Sequence, residues 1–398
     1  MRNFYAASTY SFSLLIALLP LRAWSGNVDW APVGDAGAPG TSALNGTVNA
    51  LHANGTDLYV GGNFTDAGGV ATADSIAVWN GVTWSGLAPL NGAVHAIAFA
   101  NGRLHVGGTF TNAGGNANAD FLAAWNGTAW EPVCNGAVGP AFSGNVLALR
   151  AIGSVLFIGG TFQNAAGIPS ADYLLACNVI TGATSSTVAV DGNMSGPVYA
   201  LTSDSNGTLY VGGAGINING VPAIDYVGAY DGTWRAMGSG PGPGGSAVTT
   251  FVRALASDGV NVYIGTDALD IAGIPGANHV ARWNGVWNAM GSNYFSTSTS
   301  ITALAVDGAR VFAGGTFQNA NGDPLADSIV RWDGVAWNSM GSNDAGEGPL
   351  NASANALATL GSRLFVGGSF TSAGGNTLAR FIAQSTNLPV VLFGNGFE

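Results

Sequence analysis

Apolar and polar residues alternate along this chain in short runs bounded by glycine, the period-two signature of half-buried strands. The clearest run ends in a glycine pair: Leu58-Tyr59-Val60-Gly61-Gly62, followed by Asn63-Phe64-Thr65 and, further on, Trp79. The unit recurs seven times, its second glycine position falling at Gly62, Gly108, Gly160, Gly213, Thr266 (a degenerate copy), Gly315 and Gly368. Spacings of 46 to 53 residues are those of propeller blades rather than of short solenoid turns. Within copy six, Ile301 to Val306 predicts a first strand, Asp307-Gly308 a tight hairpin, and Arg310 to Gly315 a second strand. A loop of roughly ten residues leads to Asp327 and a third strand, Ser328 to Trp332, and Asp333-Gly334 turns the chain into a fourth strand carrying Trp337.

Two aromatic columns keep register with the glycines. Seventeen residues after the second glycine position stand Trp79, Trp125, Cys177, Tyr230, Trp283 and Trp332, and four or five residues later Trp84, Trp130, Trp234, Trp287 and Trp337. Recurrence inside strands marks these side chains as wedges between blades rather than as a sugar-stacking platform. The seventh copy, Asn355 to Gln384, has three strands and no fourth. The missing strand matches an orphan at the other end of the chain, Asn27-Val28-Asp29-Trp30-Ala31-Pro32-Val33. The expected fold is therefore all-β: a seven-bladed propeller of four-stranded antiparallel blades, closed by an N-terminal strand around Trp30 that removes the open sheet edges.

The glycine pair with downstream aromatics resembles kelch-type propellers. The longer pattern Gly-Gly-x-Phe-Thr…Ala-Asp-x-Ile-Ala-x-Trp-Asn-Gly-x-x-Trp is closest to the propeller of fungal cortical cell-polarity marker proteins and of similar bacterial secreted repeat proteins. The resemblance spans residues 26–387 and implies a fold more than an activity, since kelch-like propellers include both binding scaffolds and a copper oxidase. The Tyr–Cys–His copper set of that oxidase is not legible here.

Composition narrows the setting. Residues 1–25 read as a secretory signal: Arg2, an apolar run from Phe12 to Leu21, and Ala23-Trp24-Ser25 before Gly26. The apolar run is too short to span a bilayer, and no other segment reads as a transmembrane helix. Residues 388–398, ending Gly396-Phe397-Glu398, form a C-terminal tail outside the repeat, read as a sorting or processing segment or as a strand packed on blade seven. The expected location is secreted or cell envelope. Without residues 1–25 the chain keeps nine arginines against twenty-two acids, a formal charge of −13. So acidic a surface repels phosphate backbones and excludes nucleic acid as a partner. Cys134 and Cys177 are the only cysteines. In an oxidising compartment they form one bridge or remain two buried thiols, and neither has the neighbours of a zinc site.

Candidate chemistry is sparse. Loops between strands two and three and the linkers between blades are long and emerge on one face, where binding residues collect over a rigid scaffold. An acid recurs twelve residues after the second glycine: Asp74, Asp120, Asp172, Asp225 and Asp327, with Asn278 in copy five. Spread one per blade, it reads as a side chain that accepts backbone N–H bonds and pins the long loop. Copy five breaks the pattern with Thr266, Asp267 and Asp270, and the linker after blade six carries Asp344 and Glu347. These four are weak candidates for a Ca²⁺ site, for which no recognised loop spacing exists; no other cofactor is expected. His52, His95, His105 and His279 show no pairing with a nucleophile. The sequence thus points to an exported, non-enzymatic, monomeric propeller presenting loops to a protein or glycan. The alternatives are a glycan-active hydrolase or lyase using the face-loop acids, and a structural envelope component.

Overall fold

The computed structural model describes residues 28–388 apart from 36, 38–39, 135–140, 186–193, 292–294 and 296–298. Residues 1–25, read above as a secretory signal, and all of the tail beyond Leu388 lie outside the described residues. Seven four-stranded antiparallel sheets form the molecule. Blade one is β2 (Thr47–Asn54), β3 (Asp57–Asn63), β4 (Ile76–Trp79) and β5 (Trp84–Gly86). Blade two is β6 (Val94–Ala100), β7 (Arg103–Gly108), β8 (Leu122–Trp125) and β9 (Trp130–Pro132). Blade three is β10 (Val146–Ile152), β11 (Val155–Gly160), β12 (Leu174–Asn178) and β13 (Thr184–Ser185). Blade four is β14 (Val198–Ser203), β15 (Leu209–Gly213), β16 (Val227–Tyr230) and β17 (Trp234–Ala236). Blade five is β18 (Val252–Ser257), β19 (Val262–Thr266), β20 (Val280–Trp283) and β21 (Trp287–Ala289). Blade six is β22 (Ser300–Asp307), β23 (Arg310–Thr316), β24 (Ile329–Trp332) and β25 (Trp337–Ser339). Blade seven is β26 (Ala354–Leu360), β27 (Arg363–Gly368), β28 (Ile382–Ser385) and, across the chain, β1 (Trp30–Pro32).

The closure follows the sequence expectation. Strand β1 pairs with β28 in the register Trp30–Ser385 and Pro32–Ala383. Gln384 donates through Nε2 to the Pro32 carbonyl at 2.9 Å, and the Asp29 amide donates to Asn387 Oδ1 at 2.7 Å. The seven first strands pack round the axis, β2 against β6 and so on to β26, which returns to β2.

The glycine pair has a steric explanation in both members. A Cβ on the first glycine would collide with the first-strand valine of the next blade: Gly61 faces Val94, Gly107 faces Val146, Gly159 faces Val198, and Gly367 faces Val48 across the closure. A Cβ on the second glycine would strike a carbonyl at the entrance to its own first strand, as at Gly160 against Asn145. Thr266 replaces that glycine in blade five, and its hydroxyl donates to the corresponding carbonyl, Phe251 O, at 2.7 Å.

The outer tryptophans tie each blade to the one before it. Trp84 donates through Nε1 to the Val33 carbonyl at 2.8 Å, Trp130 to Ala88, Trp337 to Met290 and Trp30 to Met340, each at 2.7 Å. Blade three has no tryptophan in its fourth strand. There Cys134, just after β9 of blade two, is joined to Cys177 of β12 by a disulfide with Cα atoms 5.7 Å apart. A covalent tie stands where five other interfaces carry an indole.

Candidate functional site

Antiparallel order places the linkers and the loops between second and third strands on one face, with all two-strand hairpins on the other. The recurrent acid pins those face loops. Asp120, Asp172 and Asp327 accept the backbone N–H of Asn112 at 2.6 Å, Asn164 at 2.7 Å and Asn319 at 2.7 Å. Asp225 accepts from Asn217 at 2.5 Å and Asn278 from Asp270 at 2.9 Å. In each case the bonded residue lies in the left-handed region and opens a 3-10 turn. Blade one departs from this scheme: its face loop is closed by a backbone bridge between Ala67 and Val70, and Asp74 makes no such bond.

The four irregular acids separate. Asp270 fills the left-handed position that Asn holds in four other blades, and accepts the Gly276 amide at 3.2 Å. Asp344 and Glu347 are exposed in the linker before blade seven, where Asp344 lies beside Gly375. Among the described residues no three His, Cys, Asp or Glu side chains converge as a metal site would require. Asp267 instead binds a side chain of the innermost strand of its blade, β18. It pairs with Arg253 NH2 at 2.9 Å, also accepts Arg253 Nε at 2.9 Å, and accepts the Ser300 hydroxyl at 2.7 Å.

Arg253 leads into an axial cavity of about 230 Å³ lined by the first strands of all seven blades. Each first strand repeats an apolar residue, a variable one, Ala, then Leu (Ile97 in blade two). The variable residue is the bulged one, where the strand register shifts: between Val48 and Ala50, Val94 and Ala96, Val198 and Ala200, Val252 and Ala254, and so on round the ring. A bulge re-aims its side chain, and here it puts Asn49, His95, Tyr199, Arg253, Thr302 and Asn355 in the cavity wall, with the leucines deeper along the same strands. Burial holds the His95 imidazole below its ordinary range. Deeper still, burial and then the charge of Arg150 lower His52. The ring was legible as the one varied position inside an otherwise repeated Val-x-Ala-Leu, a signal that the expectation for scattered histidines overlooked.

The mouth is asymmetric. Where five blades bury a phenylalanine after the glycine pair (Phe64, Phe110, Phe162, Phe317 and Phe370), blades four and five have Gly215 and Ala268. The next position is Thr or Gln in those five blades but Ile216 and Leu269 in blades four and five, 41% and 39% exposed. Phe251, at the entrance of β18, is 37% exposed and meets Tyr199 and Tyr226 edge-on at centroid distances of 6.4 and 6.0 Å. The Arg253 guanidinium lies 5.5 Å from the Phe251 ring centre and 5.9 Å from that of Tyr199. The other exposed large apolar side chains among the described residues (Val82, Ile180, Val260, Val286 and Val335) cap hairpins on the opposite face.

Comparison with known proteins establishes the architecture. The fold is that of a propeller with seven blades. The extracellular domain of the hybrid two component system BT4673 from B. thetaiotaomicron matches 91% of this chain with a TM-score of 0.54 and 12% identity. This chain spans only 40% of that one. YCF48 bound to D1 peptide matches at a TM-score of 0.53 and 11% identity over 92% of this chain and 97% of its own. YCF48 from Cyanidioschyzon merolae matches at 0.50 and 12% over 90% and 98%. No family model matches the chain, and no curated protein does. What the comparisons carry is thus the propeller, not its kelch-type or cortical-marker subdivision. Among the described residues no helix is long and apolar enough to cross a membrane.

Proposed function

We propose that this chain is an exported, non-enzymatic propeller of the kelch-like kind that binds a protein or glycan partner on the loop face of blades four and five. The observation that carries the reading is the local failure of the repeat. Five blades serve as internal controls, and among the described residues only the two around the Arg253–Asp267 pair turn large aliphatic side chains outward on that face. Departures from a local rule collect where function outweighs stability. Aromatic and arginine side chains at the centre of such a patch are the residue types that dominate binding energy. The solved relatives lend support: BT4673 contributes an extracellular propeller and YCF48 was solved with a peptide. A signal segment at 1–25 and a disulfide both suit an oxidising compartment. Closure of the ring within one chain supports a monomer.

Asp267 beside Arg253 and Tyr199 at the channel mouth is the juxtaposition that a glycan-active enzyme needs. Glycoside hydrolysis, however, uses two carboxylates about 5–9.5 Å apart with one proton between their roles. Asp267 is already engaged by Arg253 and Ser300, and Asp270 by its own turn. Binding is therefore preferred to turnover. A purely structural envelope component would have no reason to turn aliphatic side chains outward beside the mouth.

The test compares full-length protein with the double variants I216D/L269D and V286D/V335D, each immobilised and exposed to cell-envelope extract and to a glycan array. A partner retained by the wild type should be lost with I216D/L269D and kept with V286D/V335D, whose changes lie on the hairpin face. Retention that survives I216D/L269D would sink the reading.

A further inference from the structure

We infer that the axial cavity is a subsite for one neutral sugar ring, entered from the loop face past Phe251; this rests on the binding reading above and names its ligand. The argument begins with unspent hydrogen-bonding groups. Asn49, His95 and Tyr199 line the cavity, yet none of the three side chains makes a hydrogen bond within the described residues. Asn355 spends only its Oδ1, which accepts the Ser353 hydroxyl at 2.7 Å, and Thr302 donates to the Ala354 carbonyl at 3.0 Å while its lone pairs remain. Donors and acceptors therefore face the cavity from several blades at once. An apolar ligand would strand them at a cost of about 1–3 kcal/mol per desolvated group.

Charge and size narrow the class further. The arginine in the wall is already paired with Asp267, and burial disfavours the charged form of His95, so the cavity is poorly matched to a charged ligand. A volume of about 230 Å³ is the space of seven or eight waters at roughly 30 Å³ each. That suits a single ring bearing hydroxyls and falls short of drug-sized pockets, which start near 300 Å³. Below the polar ring the leucine collar gives an apolar floor for the C–H face of such a ring. Beside Arg253, the partly exposed Phe251 offers an aromatic surface next to the cavity for a following sugar.

The experiment uses the full-length chain, a panel of neutral and acidic oligosaccharides, and calorimetric titration of whichever bind. Asn49→Leu and His95→Phe remove polar groups that hold nothing else in the protein, so both variants should fold. The expected result is binding of a neutral oligosaccharide, insensitive to salt, weakened about tenfold or more by either substitution. Neutral-sugar binding unchanged by both would place the sugar elsewhere and overturn the subsite. Binding confined to acidic glycans and abolished by salt would overturn the ligand class. A partner protein lost with I216D/L269D, together with no sugar bound, would overturn the inference while leaving the binding reading intact. Silence from both assays would remove the two together.

Discussion

At the scale of single residues the determining fact is where a Cβ fits. Gly159 sits against Val198 of the next blade so closely that an added methyl group meets the valine Cβ itself, which cannot swing away. Gly314 occupies the equivalent place against Ala354, the one first strand that opens with alanine instead of a β-branched residue. G159A should therefore cost about 1–3 kcal/mol through overpacking, and G314A clearly less. V198A should relieve part of the G159A penalty, leaving a non-additive double mutant. Unfolding midpoints in denaturant for the four variants check this; equal costs for G159A and G314A would remove the steric account. The glycine pairs were plain in the sequence, as was their need for close approach. Which atoms approach was not, because the partner valine lies 33 to 40 residues ahead on the next blade, or at the far end of the chain where Gly367 meets Val48.

At the scale of strands and their interfaces, six of the seven neighbouring blade pairs share a tie of one kind in altered chemistry. Five indoles reach carbonyls of the preceding blade, counting Trp287 on Met237 at 2.5 Å, while blades two and three are tied by Cys134–Cys177. Replacing both cysteines with alanine should lower stability by about 2–4 kcal/mol, given a sequence separation of 43. W337F should cost about 2–3 kcal/mol, from the lost hydrogen bond to Met290 and the space left by the smaller ring. Calorimetric unfolding of oxidised wild type and the two variants compares them directly, and a cysteine-free protein as stable as wild type would contradict the equivalence of bridge and indole. The sequence left bridge and free thiols open, since Cys177 holds a tryptophan column and Cys134 none. Pairing follows from the radial packing of neighbouring blades, which brings the end of one fourth strand against the third strand of the next.

At the scale of the whole ring, stability depends on six residues, 28–33, from the far end of the chain. Val28, Trp30 and Val33 are buried by the closure, and β1 covers the edge of β28. A chain beginning at Gly34 should lose roughly 5 kcal/mol or more from those side chains alone, and should associate through the bared edge. Size-exclusion chromatography with thermal unfolding would show a lower midpoint and aggregation; a monomer of undiminished stability would contradict the latch.

Repetition is why so much could be read in advance. Seven copies average away local ambiguity, so blade number, strand order, closure and the loop-pinning acids follow from spacing alone. The acid column of blade one shows the limit, for Asp74 keeps the residue while Ala67 and Val70 take over its task. The site is different in kind. Ile216, Leu269, Phe251, Arg253 and Asp267 look like scattered lapses of pattern until the ring sets blades four and five side by side at the channel mouth. Periodicity along a chain determines which residues are equivalent, because each blade solves the same packing problem. Only closure of the ring decides which of them meet, because contacts across the axis depend on distance in space and not on position in the repeat.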